Sequence, residues 1–168
     1  MQLSRKDRIL LINQYRLLAM LDEGEAKRYL ELIEILENGY TIFYSMIDSW
    51  VDDEMSLENG QLVLNILDLY RSIEDLKRSV EDRRLHDHPY AYFRGFDGNN
   101  ETEYMAFCRF LIVKQGKFQE QLSYVTRNDN FNSHAAMLPR YQRMLAASAR
   151  LDTIWGMGVE EALSILNA

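Results

Sequence analysis

The chain has 168 residues, 47% hydrophobic and 27% charged, with two prolines, eight glycines and one cysteine. Those proportions describe an ordinary folded protein and exclude collagen-like, low-complexity and disulfide-framework classes. Net charge is −7 and uneven: residues 1–60 hold six Lys/Arg against twelve Asp/Glu, which argues against a phosphate-binding track for nucleic acid in that stretch.

Cys108 has no internal partner for a disulfide. The apolar run Ile9–Ile12 is broken by Asn13-Gln14, so the start does not read as a signal peptide. No window approaches the ~20 apolar residues of a membrane span. The expectation is a cytoplasmic protein without membrane contact.

Ser4 followed by Asp7 predicts a helix start, and the helix runs to Leu21. Its apolar residues (Ile9, Leu10, Leu11, Ile12, Tyr15, Leu17, Leu18, Met20, Leu21) surround the axis, so it is expected to be buried on most sides. A second helix covers Glu25–Glu37 and stops at Asn38-Gly39, where glycine supplies the left-handed residue. The aromatic stretch Tyr40–Val51 has a pattern closer to helix than strand.

Ser56 caps the longest predicted helix, Leu57–Arg84. Within it Leu62, Ile66, Leu69, Ile73, Leu76 and Val80 are spaced 4, 3, 4, 3, 4, a heptad seam for close packing. The seam fits an intramolecular helix pair or a homodimer contact. His86-Asp87-His88-Pro89 ends this helix, because the residue before proline avoids helical angles. An aromatic loop follows over Tyr90–Gly98. Asn100 with Glu103 opens a helix over Glu101–Gln115, ended by Gly116. Residues 117–137 read as a long ordered loop with a short strand or helical turn near Gln121–Val125. Pro139 opens another helix to Arg150, and a last one covers Val159–Leu166. The expected fold is all-α: one domain over residues 1–168, a compact bundle of about six to seven helices with one long central helix and a long ordered loop.

Several strings stand in a recognisable order: Asn13-Gln14-Tyr15, Met20-Leu21-Asp22, Gly39-Tyr40, Gly95-Phe96-Asp97, Arg109-Phe110, Phe131-Asn132, Tyr141-Gln142-Arg143-Met144-Leu145 and Ile165-Leu166-Asn167-Ala168. In this order and spacing the chain resembles the YfbU family of small bacterial proteins over nearly its whole length. The resemblance implies a compact helical fold that self-associates. It supplies no catalytic residues to carry over.

His86 and His88 are two apart, so on a helix their rings diverge, and only His134 remains as a third imidazole; no metal or other cofactor is expected. Asn128–Ser133 suggests a calcium loop, but Ser133 stands where glycine is required and Pro139 where the bidentate glutamate is required. Cys108 on an apolar helix reads as a small core residue. The best polar cluster is Asp97, Arg109, Asn132, His134, Tyr141 and Arg143, which would form a ligand or catalytic pocket if the long loop folds over the neighbouring helices. Alternatively Asp97 and Arg109 form a structural ion pair and Asn132 caps backbone. Arg140, Arg143 and Arg150 fall within roughly an 80° arc of one helix, a solvated face or a contact for phosphate or an acidic partner.

The leading expectation is a non-catalytic, self-associating interaction or regulatory module, a homodimer first, with a further protein partner and no nucleic acid. Its candidate interface is Tyr40, Phe43, Tyr44, Ile47 and Trp50 together with Leu62, Ile66, Leu69, Ile73 and Leu76. The alternative is a small-molecule-binding protein or enzyme built on Asp97, Arg109, His134 and Tyr141.

Overall fold

Ser4 begins the first helix by the reciprocal arrangement its sequence suggests: its hydroxyl accepts the Asp7 N–H at 3.2 Å, and the Asp7 carboxylate accepts the Ser4 N–H at 2.9 Å. That helix, α1 (Arg5–Leu21), is the first of eight α-helices among the residues 2–168 that the computed structural model describes. The others are α2 (Ala26–Asn38), α3 (Ser45–Asp48), α4 (Leu57–Ser79), α5 (Arg83–His86), α6 (Thr102–Arg109), α7 (Leu138–Ser148) and α8 (Val159–Leu166). The fold is all-α; α3 and α5 are single turns, which carries the count slightly above expectation. No helix is long and apolar enough to cross a membrane among the described residues. The chain divides into two compact units, Met1–Glu54 and Met55–Ala168, each with its own core.

In the first unit a tight link joins α1 and α2 into a hairpin. Gly39 stops α2 at φ +69°, and the guanidinium of Arg8 donates to the Leu36 carbonyl at 3.0 Å, placing a cation on the negative end of the helix. Ile12, Leu32, Ile33, Ile35, Leu36, Tyr44 and Ile47 form the core, with Leu11 and Tyr15 packed against it. The aromatic stretch is helical but broken, a 3-10 turn at Thr41–Phe43 followed by α3.

One expectation fails within this chain. Ile12 is the single buried residue of α1. Ile9, Leu10, Leu17, Met20 and Leu21 are 58%, 54%, 61%, 78% and 82% exposed. At about 100° per residue these five share an arc of roughly 120°, whereas Leu11, Ile12 and Tyr15 lie on the opposite side. A single neighbouring helix covers one stripe, so α2 seats one apolar face of α1 and leaves the other open.

The second unit is built around α4. Val63, Ile66, Leu67, Leu69, Tyr70 and Ile73 are fully or almost fully buried, and the helix packs against α6 and α7. Each such side chain contributes roughly 1.5–3 kcal/mol by leaving water. The heptad residues Ile66, Leu69 and Ile73 fill this chain's own core, with Leu62 and Leu76 packed on its margin. Ile66, Leu69 and Ile73 are therefore taken up within this chain's own core, while Leu62 and Leu76 stay partly exposed. Around Tyr70 gather Phe93, Phe96, Phe131 and Tyr141, with ring centroids 5.4–6.2 Å apart.

α4 ends at Ser79, earlier than Arg84. Val80 is extended, and the Asp82 carboxylate accepts the Arg84 N–H at 2.9 Å, starting the separate turn α5. Ser79 and Asp82 are short polar side chains that bond nearby backbone in competition with the helix. α6 runs on as a π-helical segment, Phe110–Lys114, before Gly116 at φ +67°. Asn100 and Glu103 do not cap it: the cap position is Glu101, and Asn100 bonds Asp97 instead. The long segment after Gly116 contains a 3-10 helix, Gln119–Tyr124.

Candidate functional site

The segment that joins this 3-10 helix to α7 carries four of the five non-glycine residues with positive φ among the described residues. Asp129, Asn130 and Phe131 are consecutive left-handed residues (φ 45°, 55° and 66°), and His134 is a fourth (φ 54°). Asp and Asn tolerate that region because their side chains bond locally; a phenylalanine does not enter it freely. Buried Asn128 holds it there. Its side-chain oxygen accepts the Phe131 N–H and its amide donates to the Phe93 carbonyl, both at 2.9 Å. The Phe131 carbonyl accepts the Phe96 N–H at 3.0 Å, and Ser133 N–H returns to the Phe96 carbonyl at 3.0 Å. This isolated bridge fastens the loop to the aromatic segment before α6.

The six polar residues singled out in the sequence are distributed around this loop, but not in one pocket. Asp97 is buried and accepts the Asn99 N–H and the Asn100 amide. Arg109 does not pair with it; its guanidinium donates to the Asn130 carbonyl at 2.8 Å, bracing the left-handed turn. Asn132 accepts the Gly98 and His134 N–H groups at 3.0 and 3.2 Å. The His134 ring lies 2.9 Å from Asp129 on the surface. Tyr141 is buried, donates to the Gly95 carbonyl at 2.8 Å, and has its ionisation pushed far up by burial, so it serves as a neutral structural donor. Arg143 is exposed and lines a cavity described below.

Other groups read from the sequence fall in separate places. His86 bonds the Val80 carbonyl and His88 lies near Asn167, so the three histidines stand apart. Cys108 is buried, and burial pushes its thiol away from the reactive thiolate form. Of the aromatic interface candidates, Tyr44 and Ile47 belong to the first unit's core, whereas Tyr40, Phe43 and Trp50 are exposed.

The sequence reading missed Glu101, Arg94 and Tyr90. Glu101 is buried without a cation, and its carboxylate accepts three N–H groups: Asp97 at 2.9 Å, Met137 at 2.9 and 3.1 Å, and Leu138 at 2.8 Å. It stands at the N-terminal ends of both α6 and α7, where unpaired N–H groups and the helix dipoles favour a negative charge. Beside it opens a cavity of about 380 Å³ bounded by Tyr90, Arg94, Ser133, Ala135, Met137, Arg140 and Arg143. Arg140 lies over the Tyr90 ring at 3.8 Å, with Arg94 at 5.7 Å. Only the arginine spacing on α7 pointed here; Arg94 and Tyr90 sit in an aromatic loop with no periodic signal.

Asp97 provides a pH test of this scaffold. The Asn100 amide, and after it the Asn99 N–H, hold its carboxyl below the usual carboxylate range. A value lowered by folding adds stability that is complete above the unfolded value and is lost as pH falls through the folded one. Asn100→Ala removes the main donor, so acid unfolding followed by circular dichroism is expected to begin at higher pH. An unchanged acid midpoint would remove Asp97 from the acid response.

A YfbU domain model matches residues 1–168. The chain is also 43% identical over 169 aligned positions to the UPF0304 protein MJECS11 of Methanocaldococcus jannaschii, covering 99% of each chain. That relative is archaeal, so the bacterial source suggested by the resemblance does not mark the limits of these proteins. With the whole length matched, this chain belongs to the YfbU family.

Proposed function

We propose that the protein is a non-catalytic, self-associating module in which the open stripe of α1 is covered by the same stripe of a second copy. The observation that carries this reading is the helix with two apolar faces, one packed on α2 and one carrying Ile9, Leu10, Leu17, Met20 and Leu21 in the open. Contiguous exposed apolar surface of this kind marks association sites.

Two arguments favour a second copy as the occupant. The Met1–Glu54 unit buries only seven hydrophobic side chains, few for a piece of this size to be stable without added burial. Leu30, Trp50 and Val51 are also mostly exposed on this unit. The five side chains of the α1 stripe at roughly 100 Å² each supply about 500 Å² of apolar area per partner, toward the ~800 Å² of a standard interface.

Sedimentation of the full chain tests this. The expected mass is twice 19.8 kDa at micromolar concentration. Leu17→Glu combined with Leu21→Glu is expected to weaken association at least ~100-fold, since each change buries a charge in both halves of the contact. Helical circular dichroism should stay constant. Val113→Glu, an exposed apolar site in the other unit, serves as the control. A wild-type mass of 19.8 kDa at high micromolar concentration would end the proposal.

A further inference from the structure

The cavity beside the Glu101 carboxylate has an electrostatic property that the self-association reading leaves unused. Arg94, Arg140 and Arg143 all line it, and its lining contains no Asp or Glu. Among the described residues, no Asp or Glu carboxylate lies within 4.0 Å of any of the three guanidinium groups, and of the three only Arg140 reaches an oxygen of Ala168, at 3.5 Å. This occurs in a chain with 26 acidic residues and a net charge of −7. Gathering three like charges around one space with no Asp or Glu in its lining is unfavourable, and an anion in that space reverses the sign of the interaction.

We propose that this cavity binds a tetrahedral oxyanion of the phosphate type, free or as the head of a small monoester. The α7 N-terminus is not the source of the attraction, because Glu101 already takes the Met137 and Leu138 N–H groups. The arginines supply it. Arg140 is held in place before any ligand arrives: it stacks on Tyr90 and donates to the Leu166 and Ala168 carbonyls at 3.4 and 3.5 Å. Arg94 lies over the Tyr90 and Tyr92 rings, 5.7 Å from each centroid. A guanidinium fixed by stacking loses little freedom on meeting an oxyanion, and its planar fork matches phosphate oxygens. Tyr90 has Arg140 on its face, so it orders the cation and is not free to stack on a ligand. The buried Met137 and the Pro139 ring add an apolar wall. A cavity of about 380 Å³ is large for phosphate alone and within the range of small-ligand sites, which begins near ~300 Å³. Ser133, fastened by its N–H to the Phe96 carbonyl, gives the lining a fixed polar side chain.

Calorimetric titration of the full chain at low ionic strength tests the proposal, with inorganic phosphate in one arm and phenyl phosphate in the other. Binding is expected in at least one arm. Arg94→Gln and Arg143→Gln are each expected to weaken it at least ~10-fold, the loss of a charge-assisted hydrogen bond. Arg150→Gln, at an exposed arginine in the turn after α7 that does not line the cavity, is expected to leave it unchanged. Because Arg143 is exposed and has no carboxylate partner, its variant keeps the wild-type melting curve, separating lost binding from lost folding. Tighter binding of phenyl phosphate assigns the site to an organic monoester; equal binding assigns it to phosphate itself. Absence of binding in both arms, or affinity in Arg143→Gln equal to wild type, overturns the proposal. None of these variants touches the α1 stripe, so the outcome is independent of the oligomeric state.

Discussion

Replacing Glu101 by alanine is expected to destabilise the Met55–Ala168 unit by about 4 kcal/mol, because three N–H groups lose their shared acceptor at once and each unsatisfied buried donor costs ~1–3 kcal/mol. The groups lie far apart in the chain, Asp97 before α6 and Met137 and Leu138 at the start of α7, so one carboxylate ties two segments together. Glu101→Gln keeps the shape and one acceptor oxygen but turns an amide towards a donor, so roughly half the loss is expected. Thermal unfolding checks both: at about 2–4 °C per kcal/mol for a chain of this size, alanine lowers the midpoint by roughly 10 °C and glutamine by about half as much. A loss under ~1 kcal/mol for the alanine variant would show that water replaces the carboxylate at no cost.

Gly95→Ala is the second large effect. Gly95 has φ +83°, and a Cβ built there would lie 2.1 Å from the Phe131 carbonyl oxygen and 2.3 Å from its carbon. The obstacle is backbone, and it is the same carbonyl that accepts the Phe96 N–H. Relief requires the bridge to open, which frees the left-handed turn and withdraws the Phe131 ring from the aromatic cluster. The expected cost is about 4 kcal/mol or more, above the ~1–2 kcal/mol of the left-handed conformation alone. Chemical denaturation gives the number, and near-ultraviolet circular dichroism reports the cluster. Full retention of both would mean that the loop has a second arrangement of equal energy. Gly98→Ala is milder by comparison, since its added carbon meets the movable Asn132 side chain at 3.1 Å.

These two positions differ in how visible they are along the chain. Gly95 belongs to a Gly-Phe-Asp string that draws attention, though its need for glycine comes from a carbonyl 36 positions later. Glu101 looks like any acid at a helix start. Asp97 and Arg109 suggest an ion pair by charge, but each satisfies its hydrogen bonds on backbone or amide partners close at hand. The arginines of α7 were apparent from their spacing; that Arg94 joins two of them, and that Arg150 does not line the same cavity, follows from how the aromatic loop lies against the helix.

Helix starts and stops were readable wherever one turn of chain contains all the atoms involved: Ser4 with Asp7, Gly39, Ser56, and the final helix Val159–Leu166. Apolar periodicity likewise announced which faces of α1 and α4 seek cover. It did not say what covers them. For α4 the answer was α6, α7 and the aromatic loop of the same chain, while half of the greasy surface of α1 found no cover there. The difference is one of range: caps and repeat spacing are settled by neighbours a few residues apart, whereas burial, the choice of hydrogen-bond acceptor and the grouping of charges depend on segments that meet only after the whole chain has packed.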